Sequence, residues 1–137
     1  MVVDRPPKDA WHPLKISSLW ATLIGSFLDI SPIEVYFYCR DSGSCPFKEW
    51  LNTLDRRMQK IVDTRLTRLQ RGLFGDAKHL GDVWELRFHI GPGFRIYFGR
   101  EGRTIVILLH AGDKKDQTRD IETARRYWAD LLGRTMR

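Results

Sequence analysis

Alternating apolar and polar positions dominate the stretch from 84 to 110 and predict three β-strands. Successive side chains of a strand point to opposite faces, so strand 84–90 has an apolar face and a polar face. Strand 94–98 alternates in the same way, whereas 104–110 is apolar on both faces, as expected of a strand covered on both sides. Gly91-Pro92-Gly93 and Arg100–Arg103 can reverse the chain between them. The pattern therefore predicts an antiparallel meander.

Upstream of the meander, the spacing of apolar residues changes to a helical period. Residues 33–39 are rich in β-branched and aromatic side chains and predict the first strand. Pro46 suits the first turn of a short helix, and Asp55 can cap a second helix from Arg56 to about Gly72 that has Leu73 on its buried side. A last helix is predicted over 118–132.

The order of these elements is β-α-α-β-β-β-α. It predicts an α+β fold with a mainly antiparallel, four-stranded sheet and helices packed on it. We assign this domain to residues 31–137 and treat residues 1–30 as a separate N-terminal part.

The N-terminal part has two predicted segments. Residues 1–12 are polar and proline-bearing, which indicates a loose arm, and residues 13–29 carry an unbroken apolar stripe at steps of three and four. The stripe predicts an extra amphipathic helix. It could pack back on the domain, hold a partner or second subunit, or reflect an early start site.

Composition changes the picture in one respect, the charge. The 137 residues, 42% of them apolar, are enough for one domain with a real core. The net charge of +6 falls entirely on residues 31–137, since residues 1–30 are neutral overall. A compact basic domain favours polyanion partners, nucleic acid first, although a basic surface that only aids solubility is the alternative.

The cysteines and the hydropathy indicate a location. Cys39 and Cys45 have neither a zinc spacing nor a disulfide framework, so we predict two ordinary thiols in a reducing cytosol. No apolar run approaches the roughly 20 residues that span a bilayer, and the N-terminus lacks a secretory leader. A soluble cytoplasmic protein without a membrane partner is expected.

The polar face of the meander holds the candidate chemistry. Arg87, His89, Arg95 and Tyr97 share that face, and Lys114 and Lys115 follow at its exit. Arginine suits phosphate, and a histidine near neutrality can act as an acid or a base. The alternatives are structural: Arg87 could pair with Glu85, and His89 could be a surface residue.

Other catalytic patterns are missing from the sequence. It has no phosphate-cradling glycine loop, no G-x-S-x-G elbow and no H-E-x-x-H motif, and its four histidines are scattered. We therefore predict neither a metal site nor a cofactor.

Two runs of sequence carry a resemblance to a known family. E-L-R-F-H-I-G-P-G-F-R-I-Y-F and L-L-H-A-G-D-K-K-D-Q-T-R-D-I-E-T-A resemble the RelE/HigB-type toxins of bacterial toxin–antitoxin modules, within the RelE/ParE superfamily. The phage-related addiction module killer branch is the most similar. The resemblance covers about residues 33–132 and includes the order of the elements.

The resemblance implies a small, metal-independent ribonuclease that enters the ribosomal A site, cuts mRNA and is held by an antitoxin. Basic residues would orient the 2′-hydroxyl for attack on the adjacent phosphate and stabilise the charged transition state. We assign the catalytic positions to the following residues: Arg87, His89, Arg95, Tyr97 and Lys114. Further RNA contacts are assigned to Lys115, Arg100 and Arg119.

One departure from the family pattern bears on the chemistry. Phe94 stands where a tyrosine is usual, which removes a hydroxyl and gives His89 more weight as the base or acid. Two other functions stay open: a non-enzymatic poison that binds DNA gyrase, as ParE-type relatives do, and an inactive remnant that only binds the antitoxin.

Overall fold

The computed structural model describes residues 11–13 and 33–135 of the chain. The predicted helix at 13–29 lies outside these residues, except for Pro13. The strands are β1 (Trp11–Pro13), β2 (Glu34–Tyr38), β3 (Ala77–His79), β4 (Trp84–Arg87), β5 (Arg95–Glu101) and β6 (Ile105–Gly112). The helices are α1 (Pro46–Thr53), α2 (Arg56–Gln70) and α3 (Gln117–Thr135), with a 3₁₀ turn at Lys114–Asp116. Within these ranges, none of the helices is long and apolar enough to cross a bilayer.

The α+β fold is confirmed, but its sheet is larger and more mixed than predicted. Five strands within residues 34–112 form one sheet, and β1 extends it at one edge, in the order β1-β2-β6-β5-β4-β3. The β2–β6 pair is parallel and the remaining pairs are antiparallel. Parallel neighbours need a long crossover connection. The two helices and the meander between β2 and β6 supply it. The sheet is mainly antiparallel, as predicted, but the predicted number of four strands was wrong.

Neither edge strand, β1 or β3, was predicted from the sequence pattern. β3 pairs with β4 although Lys78 and His79 are exposed. Backbone pairing holds the two strands together, and the His79 ring stacks on the Trp84 ring with the ring centres 4.5 Å apart. β1 pairs with β2, with Trp11 opposite Tyr38, within the range that we expected to be a loose arm. Short edge strands lack the apolar alternation on which strand prediction depends.

The sheet separates two hydrophobic cores. The first face packs against α1 and α2 through aliphatic and aromatic side chains, and the second face packs against α3 and is rich in tyrosine. The first core includes Phe37, Phe47, Val62, Leu66, Leu86, Ile96, Phe98 and Leu108. The second includes Tyr36, Tyr38, Tyr97, Ile107, Leu109, Ala124 and Leu131. Strand alternation therefore assigns each side chain of the meander to one of two different environments.

Helix α2 begins as predicted and ends sooner. The Asp55 carboxylate accepts a hydrogen bond of 2.8 Å from the amide of Met58, which caps the helix. At the other end, the amide of Leu73 donates to the carbonyl of Arg68 at 2.9 Å, and the chain turns away at Gly72. Leu73 is consequently 53% exposed, and its predicted place on the buried side of the helix was wrong.

The prediction of two free thiols was wrong. Cys39 and Cys45 form a disulfide. The loop between them reverses the chain, since the amide of Arg40 donates to the carbonyl of Ser44 at 2.8 Å. This reversal brings the two α-carbons to 4.1 Å. The spacing of the cysteines could not show it, because the geometry comes from the turn.

Candidate functional site

The candidate site lies at the end of the sheet where β4 ends, β5 begins and β6 ends. Arg87 is paired with Arg95, and Arg95 with Gly112. The amide of Arg87 donates to the carbonyl of Asp76 at 2.9 Å on the other side. We call Asp76, Arg87, Arg95 and Gly112, which lie side by side across four chain segments, the arginine row.

Arg95 is the most unusual member of the row, because its charge is buried. The residue is 7% exposed, and its Nη1 atom lies 3.4 Å from the carbonyl oxygens of Gly93 and Phe94. Its Nε atom is buried and has no hydrogen-bond partner in the part of the chain that the structure describes. Among the residues that the structure describes, Arg95 forms no ion pair with a carboxylate. A buried cation without a counterion is costly, so this position favours an anion from outside.

Arg87 differs from Arg95 because it has an acidic partner. Its Nε donates to Oε1 of Glu85 at 2.7 Å, and Gln117 of α3 donates to Oε2 at 2.8 Å. Burial opposes ionisation of Glu85, but the hydrogen bonds from Arg87 and Gln117 outweigh it and lower the pKa of Glu85. We expected two arginines without an acid between them. The structural alternative, an Arg87–Glu85 pair, is what the fold contains.

The Lys114 side chain packs against Gly93, next to Arg95 of the row. Gly93 has a φ of 73°, and a β-carbon there would lie 3.3 Å from Cβ of Lys114 and 3.8 Å from Nη1 of Arg95. Lys114 and Arg95 thus pack around the same glycine, Lys114 exposed and Arg95 buried. A side chain at this position would separate them.

The remaining RNA-contact candidates are divided between the two faces. Lys115 is exposed in the 3₁₀ turn beside Lys114, and Arg119, 75% exposed, pairs with Asp116 at 3.3 Å. Arg100 lies on the opposite face, where its guanidinium covers the ring of Phe74 at 4.6 Å and that of Trp84 at 5.6 Å. The structure therefore brings Lys115 to the site and places Arg100 away from it.

Tyr97 lies below the arginine row in a second row of cross-strand neighbours. This row consists of Lys78, Glu85, Tyr97 and His110. Tyr97 is fully buried under α3, and burial, followed by the charge of Glu85, raises the pKa of its hydroxyl. A side chain in this position supports the site from beneath and has no open path to a substrate.

His110 owes its position to an irregularity in β6. Tyr97 pairs with His110 and Phe98 with Leu108, so Leu109 is an extra residue, a β-bulge. The bulge allows both Leu109 and His110 to face α3, where Nε2 of His110 lies 3.0 Å from Oδ1 of Asp120. Asp120 packs so closely on β6 that a β-carbon on Gly112 would lie 2.0 Å from Oδ2. Sequence reasoning assigned His110 to a strand end and missed Asp120.

His89 is near the row but not on the strand. β4 ends at Arg87, and Nε2 of His89 contacts the carboxylate of Asp76, with 74% and 44% of the two side chains exposed. The hydrogen bond from His89 is the main reason that the pKa of Asp76 is lowered, and the charges of Arg87 and Arg65 add to it. Asp76 was also missed, since nothing in the sequence links an isolated aspartate to a histidine thirteen residues away.

The described part of the chain contains no group of three or more His, Cys, Asp and Glu side chains placed to hold a metal ion. The candidate site consists of the following groups: the cations of Arg87, Arg95 and Lys114, the imidazole of His89, and the carboxylates of Asp76 and Glu85. Such a set can bind a phosphate and move a proton.

This fold and this site define an α+β protein with basic side chains at one end of its sheet. Comparison with known proteins is consistent with that class. Residues 49–129 match the family described as Phage derived protein Gp49-like (DUF891). An uncharacterized protein of Haemophilus influenzae is 41% identical over 81 residues, which are 58% of this chain and 82% of the relative.

The chain belongs to the Gp49-like phage-derived protein family, a RelE/addiction-module-like toxin family. The matched residues run from α1 to α3 and include the whole arginine row. The resemblance inferred from the meander is confirmed at this level, and the HigB type stays a prediction.

Proposed function

We propose that this protein is the toxin of a toxin–antitoxin module and acts in the cytoplasm as a metal-independent, ribosome-dependent mRNA endonuclease of the HigB type. Family membership supports the toxin. The nuclease is supported by the buried charge of Arg95, which has no carboxylate partner among the described residues. A protein that only poisons another protein by surface contact does not need such a charge in the floor of its site.

The arginine row suggests how the substrate is held. A phosphodiester group would act as the counterion of Arg95, with the exposed Lys114 on its other side. Arg87, oriented by Glu85, would add a third cation. Preorganised cations act on the charge that develops at phosphorus in the transition state, which is often the largest single catalytic contribution.

The proposed reaction needs only the RNA itself and a proton acceptor. The 2′-oxygen attacks the adjacent phosphorus, a 2′,3′-cyclic phosphate forms, and the bond from phosphorus to the 5′-oxygen breaks. His89 contacts Asp76 of the row, and an imidazole can accept a proton near neutral pH. The ribosome and the mRNA are therefore the proposed targets.

A cognate antitoxin is the proposed protein partner. The family implies an antitoxin, and a net charge of +6 favours an acidic antitoxin segment that covers the basic end of the sheet. Covering Arg95 and Lys114 would both neutralise the site and exclude the substrate.

The test is expression without antitoxin, followed by mapping of RNA ends. Growth arrest with mRNA cut during translation is the expected result for the wild type. Arg95→Ala and Arg95→Met should abolish both, while the exposed Arg103→Ala, a matched loss of one arginine, should arrest growth like the wild type. Thermal denaturation of the purified variants shows whether they fold, and Arg95→Met, which removes the buried charge, should be no less stable than the wild type.

Two results would contradict the proposal. Arrest with DNA damage and intact mRNA would indicate the gyrase poison, and absence of arrest would indicate the inactive remnant. An Arg95→Met variant that cuts mRNA as well as the wild type would refute the site and leave the activity standing.

A further inference from the structure

Asp76 is held in place by its backbone, which leaves its side chain free for another role. Its carbonyl oxygen accepts hydrogen bonds from the amide of Arg87 at 2.9 Å and from Nη2 of Arg65 at 3.2 Å. Nη1 of Arg65 donates to the carbonyl of Arg87 at 2.7 Å and closes this arrangement. The fold at this point therefore does not depend on the carboxylate of Asp76.

The carboxylate contacts His89, and the charges around the pair keep it ionised. Arg87 on β4 and Arg65 on α2 both favour the anion, together with the hydrogen bond from His89. Arg68, also on α2, lines the same cavity as His89. An ionised aspartate on one nitrogen of an imidazole fixes the ring and its tautomer.

The imidazole borders open space on one side. A cavity of about 270 Å³ is formed by α2 and the residues that follow β4, and His89 is part of its wall. The cavity is smaller than the roughly 300–1,000 Å³ of a typical ligand pocket, so it admits one small group rather than a large ligand. Apolar Ile61 and Ile90 line it with Arg65.

We propose that Asp76 is the positioning residue of the proposed ribonuclease reaction and holds His89 through Nε2, so that Nδ1 accepts the proton of the 2′-hydroxyl. The inference rests on the proposed function. As the proton moves to Nδ1, the 2′-oxygen forms its bond to phosphorus, and the 5′-oxygen leaves and takes a proton from water. Asp76 itself touches no substrate.

The experiment measures the rate of mRNA cleavage on translating ribosomes with purified protein. Asp76→Asn and His89→Gln should each slow cleavage by about 100- to 10,000-fold, the range that a positioned proton acceptor contributes. The double variant should be no slower than His89→Gln, because the two residues act as one unit. Asp76→Glu should recover part of the rate, and Asp63→Asn, an exposed aspartate on α2, should not change it.

A second measurement reports the pair without reference to activity. Carboxyl NMR should show that the pKa of Asp76 rises in His89→Ala, since alanine has no donor to replace the hydrogen bond that lowers it. An unchanged pKa would overturn the pairing. Wild-type cleavage with an equally fast Asp76→Asn variant would overturn this inference and leave the proposed function intact, whereas a wild type that cuts no mRNA would overturn both.

Discussion

The two faces of the sheet differ in what they bury. The face toward α1 and α2 buries aliphatic and aromatic side chains, among them Leu66 and Phe98. The face toward α3 buries Glu85, Arg95 and Asp120 beside its tyrosines. Buried charges cost free energy unless they are paired. The comparison indicates that the first face provides the stability with which the second face keeps charged groups in fixed positions.

The largest expected effect lies on the apolar face. Leu66→Ala should lower the free energy of unfolding by about 2–5 kcal/mol, because the side chain is 1% exposed and its removal leaves a cavity. Chemical denaturation measures this change. Leu73→Ala is the matched control, since Leu73 is 53% exposed, and its effect should stay within about 0.5 kcal/mol. Equal losses in the two variants would contradict the assignment of the first core.

On the face toward α3, the close contact of the helix with β6 should be the most sensitive point. Gly112→Ala should lower the free energy of unfolding by about 1–3 kcal/mol, because the new β-carbon would lie 2.0 Å from Oδ2 of Asp120. Gly133→Ala, in the same helix, meets no atom within 4 Å and should stabilise by up to about 1 kcal/mol. A neutral Gly112→Ala would show that α3 does not pack on β6 through Asp120.

Acid should distinguish the second face from the first. The pKa of Glu85 is below its ordinary value of 4.5 in the folded protein, so its contribution to stability is present above that pH and is lost as the pH falls through the folded pKa. Glu85→Gln should therefore be less stable than the wild type at pH 7 and should lose less stability on acidification. Urea denaturation at several pH values measures both. Parallel curves for the two proteins would argue against a stabilising Glu85–Arg87 pair.

The smallest effects should separate Lys115, which is exposed, from Arg100, which is half-buried. Lys115→Ala should reduce the slope of log affinity against log salt for single-stranded RNA by about 0.7 and leave stability unchanged. Arg100→Ala should leave that slope unchanged and cost about 0.5–1 kcal/mol of unfolding free energy, because the guanidinium covers Phe74 and Trp84. The reverse result would move the RNA to the first face.

Much of the site could be predicted because it lies on one meander. Alternation alone assigned Arg87, Arg95 and Tyr97 to the face opposite Leu86 and Ile96, and the structure agrees. The contribution of Lys114 followed from its place after the last strand. The partners of these residues could not be predicted in the same way. Asp76 and Asp120 come from other elements, and their contacts depend on the paths of a loop and a helix.

The burial of individual charges was also beyond the sequence. Arg87 and Arg95 occupy equivalent positions in the pattern, yet one is paired with Glu85 and the other is buried without a carboxylate among the described residues. The difference arises because Arg95 lies between β4 and β6 and turns its guanidinium toward the carbonyls of Gly93 and Phe94. The disulfide depends in the same way on a turn, at residues 40–44, that brings Cys39 and Cys45 together.

By itself, the sequence determined the α+β class, the helices after Pro46 and Asp55, the meander and the identity of its polar face, because periodicity follows from local backbone geometry. The tertiary structure alone decided the parallel β2–β6 pair, the two edge strands, the disulfide, and the bulge that faces His110 toward α3. It also decided that Arg87 pairs with Glu85, whereas Arg95 has no carboxylate partner among the described residues. These features depend on contacts between segments distant in the chain, and a pattern of neighbouring residues contains no information about which segments meet.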